Sequence, residues 1–78
     1  MSMKEEIIDL IAKTLDVGSD EIKEGVSLYD GVGVDSTEMV ELSIAIGKHI
    51  GITLSPGEVT NKNTPNEIIE IVEKKKNG

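Results

Sequence analysis

The chain has 78 residues, a net charge of −7 at pH 7, no cysteine, no tryptophan or phenylalanine, and a single tyrosine, Tyr29. That length holds one hydrophobic core, so residues 1–78 read as a single domain, and the absence of cysteine excludes disulfides and thiolate metal sites. The acidity excludes nucleic acid and anionic membrane surfaces as natural partners, the scarcity of aromatic rings excludes base stacking, and a basic protein surface is the expected counterpart.

Four helix starts carry one signal, a Ser, Thr or Asp followed three residues later by Glu, the pattern of a capping box. They are Ser2 with Glu5, Asp35 with Glu38, Ser55 with Glu58, and Thr64 with Glu67. The first helix is expected over residues 3–15, with Ile7, Ile8, Ile11 and Leu15 facing inward. Asp9 and Lys13 stand one turn apart on its outside and can pair. Residues 16–34 follow as a long connection, in which Gly18, Gly25, Gly31 and Gly33 alternate with Ile22, Val26, Leu28 and Val32. A bare loop of that length is uncommon in a compact domain, and the spaced apolar residues suit a loop packed by its own side chains. Residues 19–23 offer a helical turn.

The second helix is expected over residues 36–50. At about 100° per residue, Leu42, Ile46, Met39, Ile50, Val40 and Ile44 fall on one broad arc, with Glu38, Glu41, Lys48, Ala45 and His49 opposite. Gly51 ends it, as glycine does where a chain must turn left-handed. Ser55 and Pro56 open a short helix whose only apolar anchor is Val59. The last helix is expected over residues 65–75, with Pro65 at its first position. It carries Ile68, Ile69, Ile71 and Val72, and Lys74, Lys75 and Lys76 complement the negative end of its dipole. The fold class is therefore all-α: a small four-helix bundle with a short third helix and a long loop between helices one and two. No apolar run approaches the roughly 18 residues of a membrane span, and no charged-then-apolar leader precedes the first helix. The expectation is a soluble, cytoplasmic monomer.

Ser36 is the residue with the most chemistry to offer. Serine in the first turn of a helix is commonly a terminus residue and nothing more, but Asp35 already fills the cap, which leaves the Ser36 hydroxyl free. A hydrolytic nucleophile would need a base within hydrogen-bonding reach. The only histidine, His49, would stand about 20 Å along the helix and about 220° round it, and residues 34–38 do not form a glycine-flanked nucleophile elbow. Asp16, Gly18 and Asp20 suggest a calcium loop, but such a loop needs glycine where Glu21 stands and glutamate where Ser27 stands. No metal site of its own is expected. What remains is a serine that is modified. A phosphodiester on Ser36 would meet the free N–H groups and positive dipole end of the helix start.

With Asp35-Ser36 at the head of the second helix and Val40-Glu41-Leu42 one turn on, the chain resembles the acyl carrier protein family over essentially its whole length. Ser27-Leu28 with Gly33 resembles the family's first loop. The run from Gly51 to Pro56 resembles the stretch after helix two, and Thr64 with Ile68-Ile69 resembles the start of the last helix. The resemblance implies a carrier and not an enzyme. Ser36 would receive 4′-phosphopantetheine from coenzyme A through a magnesium-dependent phosphopantetheinyl transferase, with Asp35 near that magnesium. The arm's thiol would carry acyl groups as thioesters in fatty-acid, polyketide or related biosynthesis. Thr37, Glu38, Val40, Glu41 and Ile44 would meet acyl-transferring and chain-elongating enzymes through basic docking surfaces. Met39, Ser43, Ile46, Gly47, Ile50, Leu54 and Val59 are candidates to line an acyl-chain site. Ser43 and Gly47, small residues on the apolar arc, either admit a close helix or leave space for a guest.

The departures from the family pattern point to a specialised member with dedicated partners. Thr37 replaces the usual leucine, Gly47-Lys48-His49 replaces acidic residues of housekeeping fatty-acid carriers, and Lys62 takes a usually apolar place, which argues against a deep closed pocket. A carrier of aminoacyl or peptidyl units shares the same serine and bundle, and a helical interaction module with unmodified Ser36 is the reading from a different class.

Overall fold

The computed structural model describes residues 2–55 and 57–77. Helices α1 (Met3–Leu15), α2 (Leu28–Val32), α3 (Ser36–Ile50) and α4 (Pro65–Asn77) follow in order, with a single 3₁₀ turn at Ser19–Glu21 between α1 and α2. Their starts are fixed by capping. Ser2 Oγ accepts the Glu5 N–H at 3.2 Å. Thr64 and Glu67 exchange both bonds of a capping box, at 2.9 and 3.1 Å. Their ends use the left-handed region: Asp16 (φ 57°) closes α1, Gly33 closes α2 and Gly51 closes α3, and aspartate and glycine are among the residues that tolerate it.

The core is aliphatic. Ile7 and Ile11 of α1, Leu42 and Ile46 of α3, and Ile68 and Val72 of α4 are all fully buried, with Leu28 of α2 beside them. Helix α1 packs against both α3 and α4. The connections also reach the core through Ile22, Val34 and Val59. The long first connection is thus packed by its own side chains, and its helical turn forms at Ser19–Glu21.

The all-α four-helix class stands, but the short helix occupies another place. Residues 28–32 inside the long connection form it, with Ser27 Oγ accepting the Asp30 N–H at 3.1 Å. The helix expected to open at Ser55 is not observed among the described residues. Its first position, Pro56, lies outside them, and Gly57 and Glu58 form a turn in which Gly57 has φ 90°. One apolar anchor, Val59, cannot pay for ordering a helix there. Asp9 and Lys13 also make no ion pair among the described residues. The pairs observed are Lys4 with Glu24 and Lys75 with Glu58. An exposed pair one turn apart contributes only about 0.2–0.5 kcal/mol. Finally, Val40 and Ile44 belong to the apolar arc of α3 but stand 57 % and 54 % exposed, because the arc is wider than the core that covers it.

Candidate functional site

The first turn of α3 is built by a reciprocal cap. Asp35 Oδ1 accepts the Glu38 N–H at 2.7 Å, and Glu38 Oε1 accepts the Asp35 N–H at 3.1 Å. A helix start leaves four backbone N–H groups without intrahelical partners. This box satisfies those of Asp35 and Glu38 and leaves those of Ser36 and Thr37 facing outward at the positive end of the dipole. Ser36 is exposed, and its hydroxyl makes no hydrogen bond among the described residues. The cap that frees the serine is therefore the same one that organises a seat for an anion beside it.

Next to Ser36 runs an open groove of about 320 Å³, lined by Met39, Val40, Ser43 and Ile44 on α3 and by Leu54, Val59 and Asn61 on the facing segment. Its surface is mainly apolar. Four of the residues expected to line an acyl-chain site, Met39, Ser43, Leu54 and Val59, meet there. The other three do not. Ile46 is fully buried in the core and Ile50 packs against that core. Gly47 is buried, and a Cβ on it would stand 2.7 Å from the Ile52 carbonyl oxygen. Gly47 thus stands where α3 and the chain that leaves it pack closely. It borders a second cleft shared with Ser43, Ile44, Lys48 and Leu54. Ser43 does face the groove, and its hydroxyl donates to the Met39 carbonyl at 2.9 Å.

Of the residues expected to meet partners, Thr37, Val40, Glu41 and Ile44 are exposed, while Glu38 is half-buried and committed to the cap. The side chain that sequence reading missed is Asn61, which lines the groove and donates from Nδ2 to the Val34 carbonyl at 2.7 Å. No local pattern could have found it, since the bond spans 27 positions. His49 is exposed and far from this site. Among the described residues there is no group of three or more His, Cys, Asp or Glu that could hold a metal ion, and no helix is long and apolar enough to cross a membrane.

The comparisons agree with this geometry. A family model described as the phosphopantetheine attachment site matches residues 5–72. An acyl carrier protein of Buchnera aphidicola subsp. Acyrthosiphon pisum is 31 % identical over 74 residues, covering 95 % of this chain and 92 % of its own length. One from Chloroherpeton thalassium is 36 % identical over 76 residues (95 % and 94 %), and one from Solidesulfovibrio magneticus is 28 % identical over 76 residues (97 % of each). A solvent-facing serine at a capped helix start, an apolar groove beside it and a family match over most of its length lead to one conclusion: the chain belongs to the acyl carrier protein family, carriers of a covalent 4′-phosphopantetheine group and not enzymes.

Proposed function

We propose that Ser36 Oγ is the attachment point of the 4′-phosphopantetheine and that the chain carries acyl intermediates in fatty-acid, polyketide or related specialised biosynthesis. The single observation that carries this reading is an exposed hydroxyl, unused by the helix cap, at the mouth of an apolar groove. The bound group supplies a thiol on a flexible tether, where an acyl chain is held as a thioester.

The protein's own residues perform the rest. The Ser36 and Thr37 N–H groups lie within reach of a phosphodiester on Oγ and offset its charge. Asp35 gives Oδ1 to the cap, and its other oxygen has no hydrogen bond among the described residues. That oxygen is available to the transferase's magnesium. The groove gives an apolar chain a place out of water at about 25 cal/mol per Å² of surface covered. Val40, Ile44, Thr37 and Glu41 form the surface offered to a phosphopantetheinyl transferase and to acyl-handling enzymes, and a basic docking patch complements the carrier's net charge of −7.

Incubation with coenzyme A and a promiscuous phosphopantetheinyl transferase, followed by intact mass, tests the assignment. The protein should gain the mass of one arm, and Ser36→Ala should gain none. A modified Ser36→Ala protein, or an unmodified parent, would overturn it.

A further inference from the structure

The Val34–Asp35 peptide unit, which delivers the chain into α3, is held at both of its polar ends by side chains. Its N–H donates to Glu38 Oε1 at 3.1 Å. Its carbonyl, that of Val34, accepts from Asn61 Nδ2 at 2.7 Å. A peptide unit is planar, so these two bonds fix the rotation of one rigid plate whose far end is the Asp35 Cα, one residue before Ser36. The two side chains come from different parts of the fold: Glu38 from the first turn of α3, Asn61 from the segment that faces α3 across the groove.

Asn61 is itself well fixed. Its carbonyl accepts the Tyr29 N–H at 2.8 Å, and the neighbouring Asn63 carbonyl accepts the Leu28 N–H at 3.2 Å. The turn that presents Asn61 is closed by Thr60 N–H donating to Asn63 Oδ1 at 2.8 Å and Asn63 N–H donating to the Thr60 carbonyl at 3.1 Å. Asn61 therefore grips the first turn of α2 with its backbone and the exit of α2 with its side chain. Val34, between that exit and Ser36, is 1 % exposed.

We propose that Asn61 is a positioning residue for Ser36. Together with Glu38 it sets the Val34–Asp35 plane, and through it the direction in which the Ser36 hydroxyl is presented to the modifying enzyme. This deepens the proposed function and rests on Ser36 being the attachment residue. Without the amide donor the Val34 carbonyl loses its partner, the plate rotates more freely, and the reactive geometry is populated less of the time. The enzyme's docking surface on Thr37, Val40, Glu41 and Ile44 is untouched, so the loss falls on kcat and not on KM.

Asn61→Asp tests this with almost no change of shape, since it turns a donor into a charged acceptor facing the Val34 oxygen. Transfer of the arm should slow about tenfold in kcat with KM unchanged, the factor that about 1.4 kcal/mol produces, and the backbone amide signals of Asp35 and Ser36 should move. Lys62→Ala serves as the control, because it changes the same turn at an exposed side chain that makes no hydrogen bond among the described residues and leaves both the closure of the turn and the Asn61–Val34 bond in place; its kcat should match the parent's. Unchanged kinetics with unmoved amide signals in Asn61→Asp, or an equal fall in kcat in Lys62→Ala, would overturn the proposal. If Asn61→Asp does not fold, hydrogen exchange of side-chain amides in the parent decides. The Asn61 amide should exchange more slowly than that of exposed Asn66, and equal rates count against the bond. A parent that accepts no arm at all refutes the attachment site instead, while the amide and exchange data still report on the clamp.

Discussion

At Gly47 the body of α3 touches the chain that leaves it. A Cβ there would stand 2.7 Å from the Ile52 carbonyl oxygen, and the Ile52 N–H donates to the Gly47 carbonyl at 2.9 Å. The opposing atom is backbone and cannot swing aside. Overpacking of this kind costs about 1–3 kcal/mol, against about 1 kcal/mol gained by replacing a mid-helix glycine with alanine. Gly47→Ala should therefore lower stability by about 1 kcal/mol in denaturant unfolding; a gain would mean that residues 51–54 yield freely. The sequence left Gly47 open between packing and guest space because the answer depends on what lies opposite, and nothing in α3 itself encodes Ile52. Ser36 was legible for the contrary reason. Its availability is decided by Asp35 and Glu38, its own neighbours, so local reasoning sufficed. Asn61 escaped notice because its partner is distant in the chain.

Element boundaries followed the same division. Helices α1 and α3 begin and end at the residues that capping and periodicity indicate, and α4 runs only slightly further, to Asn77. Helix α2 is too short for periodicity to register, and it contributes one buried residue, Leu28. The Ser55 segment carried a start signal with almost no apolar face to bury, so tertiary packing decided against a helix. Where a cap is real it also has an electrostatic signature. At α4 the Glu67 carboxylate accepts the Thr64 N–H first and the Asn63 amide second, and these bonds hold its pKa below the usual carboxylate range. Glu58 is lowered as well, first by its hydrogen bond from Lys75, whose Nζ lies 2.6 Å from Oε2. A carboxylate with a depressed folded pKa contributes stability that is fully present above its unfolded value, about 4.3, and is lost as pH falls through the folded value. Stability should accordingly be level near neutrality and decline below about pH 4.3. Glu67→Gln keeps the acceptor oxygen but removes the proton linkage, so its acid unfolding curve, followed by helical circular dichroism, should fall less steeply than the parent's. Parallel curves would show that Glu67 does not couple to folding.

Over the whole molecule the net charge of −7 attracts basic partners in general, but the arrangement along α3 selects among them. From the serine onward the exposed surface presents Thr37, then Val40 and Glu41, then Ile44, and finally Lys48 and His49. Glu38 turns back into the cap. The negative stripe beside Ser36 is made by the Asp35, Glu38 and Glu41 carboxylates, and about two turns beyond Glu41, near 10 Å along the axis, the sign reverses at Lys48. An enzyme whose basic docking patch spans a longer acidic stripe meets a like charge at its far edge, which slows encounter and misaligns the complex more than it weakens close contacts. The protein carrying its arm should accordingly be a poorer substrate for a general fatty-acid ketosynthase than a housekeeping fatty-acid carrier is. Lys48→Glu should raise kcat/KM several-fold, in keeping with the roughly 1 kcal/mol available to an exposed pair, and added salt should narrow the difference because exposed charges are screened within about 10 Å at 0.1 M. Turnover of the unaltered protein equal to that of the housekeeping carrier, or no response to Lys48→Glu, would show that α3 charge does not choose the partner.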